Sequence, residues 1–301
     1  MARWLAYVIL ACQLAGCANF NAASTFATET GKLTSMIGTE FGHLVTLCDK
    51  QANLSIVIID SNDQPLKDCE RFKAAQGRLA GVTVDVLDRY AKTLSALTED
   101  KAFDMSSDIE NLAGKVNALK DPDGGALANE KAVTALSKVV QVLADVAKSA
   151  RREAAVRRLL EETPNLRTTG DILRSFFVSK AELPADSAIP PYGNLIAIIS
   201  DTAASNEASL RSPAFANKEP IRTAELRREL KGTQALLEKR GAASGDSVPN
   251  KIVAAIDAWQ AALSQFERDA LKPDPDALFT RLNALRTRTI AARDAVESGS
   301  R

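Results

Sequence analysis

The chain has 301 residues, with 38 Lys and Arg against 38 Asp and Glu, one His, four Cys, 46% apolar and only 5% aromatic side chains. That balance is the ordinary globular one, and it excludes global disorder and a protein of many membrane spans. Zero net charge removes the basic excess that neutralising a phosphate backbone requires, so no nucleic-acid partner is expected. Few aromatics with many Ala and Leu favour helices over a β-sandwich.

The first segment, Met1-Ala-Arg-Trp4 and the apolar run Leu5 to Leu14, carries one early positive charge, Arg3, and is interrupted only by Gln13. It is too short to span a bilayer and reads as a secretory signal. It ends in Leu14-Ala15-Gly16-Cys17, which resembles the lipobox of bacterial lipoprotein precursors. The resemblance covers residues 1–17 and implies an address and a processing step. Residues 1–16 would leave as signal peptide, and Cys17 would be acylated on sulfur and again on its new amino group. Residues 17–23 would be a short lipidated tether ahead of a body spanning 24–301. Several acyl chains, of the palmitate kind, exceed the two signals that stable membrane anchoring needs. In a Gram-negative cell, Ala18 stands where enteric inner-membrane lipoproteins carry Asp. The expected location is therefore the outer membrane, facing the periplasm.

Cysteine usage fits that compartment. Cys12 leaves with the signal and Cys17 accepts the acyl chains, which leaves Cys48 and Cys69 as an even pair in an oxidising space. A disulfide between them would close a loop of about twenty residues and stabilise the fold by roughly 3 kcal/mol. The lesser alternative, a metal or redox pair, lacks a C-x-x-C spacing and has only His43 as a nearby imidazole.

Helical periodicity then runs through almost the whole chain. Ser24 or Thr25 can cap a first helix with Phe26, Leu33, Ile37, Phe41, Leu44 and Cys48 on one stripe. Ser55 to Ile59 is β-branched and open between helix and strand. After the breaker Asp60 to Pro65, a second stripe holds Phe72, Ala75, Leu79, Val82, Val86, Tyr90, Leu94 and Leu97, and should pack antiparallel on the first. A shorter helix carries Met105, Ile109, Leu112, Val116 and Leu119. The stretch Leu127 to Glu162, apolar over more than one face, reads as the longest and central helix. Thr163-Pro164 marks a candidate sub-boundary near 163–170. Ile172, Leu173, Phe176 and Phe177 form a compact segment, and Leu195 to Ile199 is again helix or strand. Three helices follow, Glu219 to Arg240, Pro249 to Leu271 and Pro275 to Glu297, each with Pro at or near its start. The expected fold is all-α, an elongated multi-helix bundle of long antiparallel helices.

Catalytic signatures are missing. The chain has no G-x-S-x-G, H-E-x-x-H, G-x-x-x-x-G-K-[ST], G-x-G-x-x-G or S-x-x-K. Imidazole acid-base chemistry would rest on His43 alone, which lies beside the first apolar stripe and reads as a histidine at the core edge. The Asp-rich turns at Asp60 and Asp121 lack the ligand spacing of a calcium loop and read as helix stops. The arginines at 281, 286, 288 and 293 flank a core stripe. Arg227, Arg228 and Lys231 read as a solvated face. No cofactor or metal is expected. The chain is expected to be a non-enzymatic interaction, scaffold or assembly-factor module of the cell envelope, with the membrane as one partner through Cys17 and an envelope protein as another. A helical carrier of an apolar ligand or lipid is the alternative, and an envelope enzyme of unrecognised type a lower one.

Overall fold

The structure is a computed structural model and describes residues 2–59, 70, 79–99, 106–119, 130–147, 152–178, 192–213, 220–241, 246–270 and 276–299, with side chains from Phe20 onward. Among these residues there is no strand, and the elements are α1 (Ala2–Ile59), α2 (Gly81–Glu99), α3 (Ser106–Ala118), α4 (Glu130–Ala147), α5 (Arg152–Glu161), α6 (Thr163–Phe177), α7 (Tyr192–Arg211), α8 (Pro220–Gly241), α9 (Val248–Asp269) and α10 (Asp276–Ser298). The fold is an all-α multi-helix bundle. Both segments left open by sequence, 55–59 and 195–199, are helical. The stretches around Asp60 and Asp121, together with Phe72, Ala75 and Met105, lie outside the described residues.

The central element differs from expectation. The stretch read as one long helix is two, α4 and α5, while the hub is α1, which packs on α2, α7, α9 and α10. From Phe20 to its end α1 runs roughly 60 Å at 1.5 Å per residue. Hydropathy hid its position because many of its buried side chains are polar: Glu29, Thr30, Thr34, Glu40, Gln51 and Ser55 all lie inside. Several hydroxyls on this helix are satisfied by the helix itself. Thr30 donates to the Phe26 carbonyl at 2.8 Å and Thr34 to that of Gly31 at 2.9 Å, which lets a Thr-rich helix enter a core. Thr25 does the same to Asn21 at 2.8 Å. It is thus an interior residue of α1, and the expected cap at residues 24–25 is replaced by uninterrupted helix. Ala22 and Ala23 are already buried.

The apolar stripes otherwise fall where the periodicity places them. Phe26, Ile37, Val86, Leu94, Leu143, Leu166, Ile256 and Leu282 all enter one contiguous core. In the α1/α9 contact Phe26 stacks on Phe266 at 4.8 Å and on Trp259 at 6.4 Å. The Trp259 Nε1–H donates to Thr30 Oγ1 at 3.0 Å, so the one polar atom of the largest core side chain is satisfied. Residues 163–170, the candidate sub-boundary, lie within α6, whose Pro164 occupies the first turn where no N–H partner is lost. Two ion pairs and a hydrogen bond lace α6 antiparallel to α9: Arg167 with Glu267, Arg174 with Asp257, and the Gln260 amide donating to Asp171. Gly170 permits their close approach, since a Cβ there would stand 2.8 Å from both Trp259 Cζ3 and Gln260 Nε2.

Tyr90 on α2 is fully buried, and its hydroxyl has no partner among the described residues. Burial pushes its phenol well above the ordinary value of 10. The unfolded chain ionises near that ordinary value while the folded one stays protonated, so this residue leaves stability intact below pH 10 and erodes it as pH rises beyond. Tyr90→Phe removes the orphaned hydroxyl and should stabilise the protein by about 1 kcal/mol at neutral pH. Urea unfolding at pH 7 and pH 10.5 should show that gain, together with a shallower alkaline loss than in the parent.

Candidate functional site

The densest polar constellation in the described residues forms where α1, α7, α8 and the end of α10 meet. Glu40 lies on the stripe of Leu33, Ile37 and Leu44, and Arg240 ends the stripe of Leu230 and Leu237, so helical spacing drives both charges inward. Both side chains are 0% exposed. They pair bidentately: Arg240 Nε donates to Glu40 Oε1 at 2.8 Å and Nη2 to Oε2 at 3.0 Å. Tyr192, at the start of α7, donates its hydroxyl to Oε1 at 2.7 Å. Arg240 Nη1 donates to the Gly299 carbonyl at 2.5 Å and the Leu236 carbonyl at 3.3 Å. Burial, followed by the Glu40 carboxylate beside it, holds the Tyr192 phenol well above its ordinary value.

His43 sits at the edge of this cluster. Its Nδ1 is 3.4 Å from Arg240 Nη2 and 3.8 Å from Glu40 Oε2, with the side chain 30% exposed. The ring closes the guanidinium off from solvent on that side, in keeping with a histidine at the core edge. Both Glu40 oxygens are occupied, and none of the grooves described below is lined by Glu40, His43 or Tyr192. The chemistry this geometry supports is therefore charge pairing and helix registration.

A second polar contact repeats the registration about three to four turns on. Asn206 of α7 accepts from Ser55 Oγ at 2.9 Å and donates to the Gln51 carbonyl at 3.2 Å. Tyr192 on Glu40 and Asn206 on Gln51 set α7 parallel to α1. Arg240 on Glu40 and Lys50 on Glu229, at 3.0 Å, set α8 antiparallel to it. The bundle thus includes a parallel pair beside its antiparallel ones.

Cys48 is buried on α1, Cys69 lies outside the described residues, and of Cys17 only the helical backbone is described. Among the described residues no three His, Cys, Asp or Glu side chains form a metal-holding group, and no helix is long and apolar enough to cross a membrane. Arg281, Arg286, Arg288 and Arg293 are exposed along α10. The cavities among the described residues are grooves open to the surface. The more apolar of the two largest, about 500 Å³, runs between α1 (Thr28 to Thr39) and α10 (Thr289 to Glu297). One of about 600 Å³ lies between the α8 end, the α9 start and α10. One of about 260 Å³ separates α7 from α8. The chain matches no known protein family, no curated protein and no solved structure.

Removing one member of the Glu40/Arg240 pair strands the other charge in the core. Arg240→Met should cost roughly 3–5 kcal/mol, whereas Glu40→Gln/Arg240→Met should lose markedly less, because no lone ion is buried. Equilibrium denaturation of the parent, the single and the double variant measures the difference.

Proposed function

We propose that the chain is a lipid-anchored envelope protein, fastened to the outer membrane by acyl groups on Cys17 and working by holding its helical body against another envelope protein. The observation that carries the reading is Leu14-Ala-Gly-Cys17 behind a short apolar segment. The architecture is compatible with it. Ala22 and Ala23 are buried in the bundle, which supports a body that begins close behind Cys17. The body would ride on the bilayer surface, with the exposed faces of α8 and α10 available to a partner.

The filled core weighs against the carrier alternative. Trp259, Tyr90, Tyr192, Phe26, Phe176 and Phe266 are the largest apolar side chains completely inside. The best-formed cavities around them among the described residues are open surface grooves. Facing helices hold an apolar ligand by surrounding it, and that arrangement has no support here.

Two measurements test the proposal. Cells fed radiolabelled palmitate should yield a labelled membrane-bound protein from the parent gene and an unlabelled one from Cys17→Ser. Label retained in the variant would refute the anchor. We also propose that Cys48 and Cys69 form a disulfide at the α1 end. Alkylation of periplasmic protein before reduction should leave both cysteines unmodified by mass spectrometry, while two alkylated thiols would exclude the bond.

A further inference from the structure

The groove between α7 and α8 gathers charges that are scattered in sequence. Its lining is Glu207 and Arg211 from α7 with Arg227, Leu230, Lys231 and Gln234 from α8. The antiparallel hairpin brings the last turn of α7 beside the middle of α8. By sequence alone Arg227 and Lys231 read as a solvated face, yet Arg227 Nη2 reaches across to donate to the Leu210 carbonyl at 2.9 Å. That bond fixes its guanidinium over the groove and satisfies one of the free carbonyls at the α7 end.

The one acid in the groove is already used. Glu207 accepts from Arg211 on one oxygen and from Gln234 Nε2, at 2.8 Å, on the other. The Gln234 amide and then Arg211 hold its carboxyl below the ordinary range, so it stays ionised. Glu229, the nearest acid along α8, turns away to Lys50 of α1. Lys231 makes no ion pair within 4 Å among the described residues and acts on Glu207 only at longer range. Three cations against one carboxylate leave two positive charges unbalanced. A guanidinium has five N–H donors, so Arg227 and Arg211 each keep most of theirs after the bonds above. Two forks and a point charge around a cavity of about 260 Å³ suit a compact tetrahedral oxyanion, whose several acceptor oxygens can be shared among three cations, and do not suit an apolar chain.

We infer that the α7/α8 groove is a binding site for a phosphate group, held by Arg211, Arg227 and Lys231 with Glu207 and Gln234 as its fixed wall. The phosphate belongs either to a free small molecule or to an anionic lipid headgroup. The inference rests on the groove alone and stands whether or not Cys17 is acylated.

The test uses the full chain, isotope-labelled, titrated with inorganic phosphate against sodium chloride at matched ionic strength. The amide resonances of Lys231 and Gln234 should shift saturably. Arg211→Gln/Lys231→Gln should weaken phosphate binding at least tenfold, Lys231→Arg should retain it, and Arg293→Gln on α10 should change nothing. As a check independent of variant folding, phosphate should raise the parent's melting temperature above that in matched chloride. Sedimentation with phosphatidylglycerol vesicles, compared with phosphatidylcholine vesicles, separates the sources. Binding to the first that is lost in the double variant identifies a headgroup site, and phosphate binding without it identifies a free ligand. Linear, non-saturating shifts, or equal shifts in parent and double variant, would overturn the inference.

Discussion

Three helices and the last turn of a fourth converge on one carboxylate. Glu40 is unable to reach water, and its charge is tolerated only because Arg240 forks onto it and Tyr192 adds a third hydrogen bond. Isolated, such an ion would cost several kcal/mol to bury. Its partners are therefore obligatory, and they fix the depth of α8 on α1, the start of α7 and the position of Gly299. Apolar packing alone would permit α7 or α8 to slide by a turn, since Leu and Val stripes accept many registers. A bidentate ion pair permits one.

That constraint explains how α7 and α8 can be held although they are weakly amphipathic helices. α8 is exposed around most of its circumference, with Leu230, Thr233, Leu237 and Arg240 as its buried line. A helix with so little apolar contact area gains little from burial, and its hold comes from directed contacts: Arg240 on Glu40, Gln234 on Glu207, Arg227 on Leu210, and Lys239 on the Ser298 carbonyl at 2.6 Å. The first half works differently. α2, α3 and α4 carry dense Val and Leu stripes and interlock by shape, with ion pairs such as Lys115 to Asp85 at their rims.

The helical architecture was legible because the apolar period of Phe26 to Ile58, Leu79 to Leu97 and Ile252 to Phe266 survives into the structure nearly residue by residue. The hub was misjudged for a definite reason: α1 buries Thr, Gln and Glu, and a reading based on hydrophobicity counts those as surface. The polar cluster was partly legible. Glu40 stands on an apolar stripe, as does Arg240, and two opposite charges in such positions are a pairing signal. What one sequence lacks is the third dimension that brings residue 240 to residue 40, or Arg211 to Lys231. Those meetings depend on the parallel seating of α7, which local periodicity does not encode.

The separation between Glu40 and Arg240 has a temporal meaning. Two hundred positions lie between them, and a ribosome adding about 5–20 residues per second needs on the order of 10–40 s to cover that distance. Throughout that interval the nascent α1 carries a carboxylate that has no counter-ion and hence no reason to leave water. α1 can pack on α2 long before that, but its Glu40 side is completed only once α8 has been made. A lock whose key is synthesised late delays the closing of that one face by the order of its residues alone.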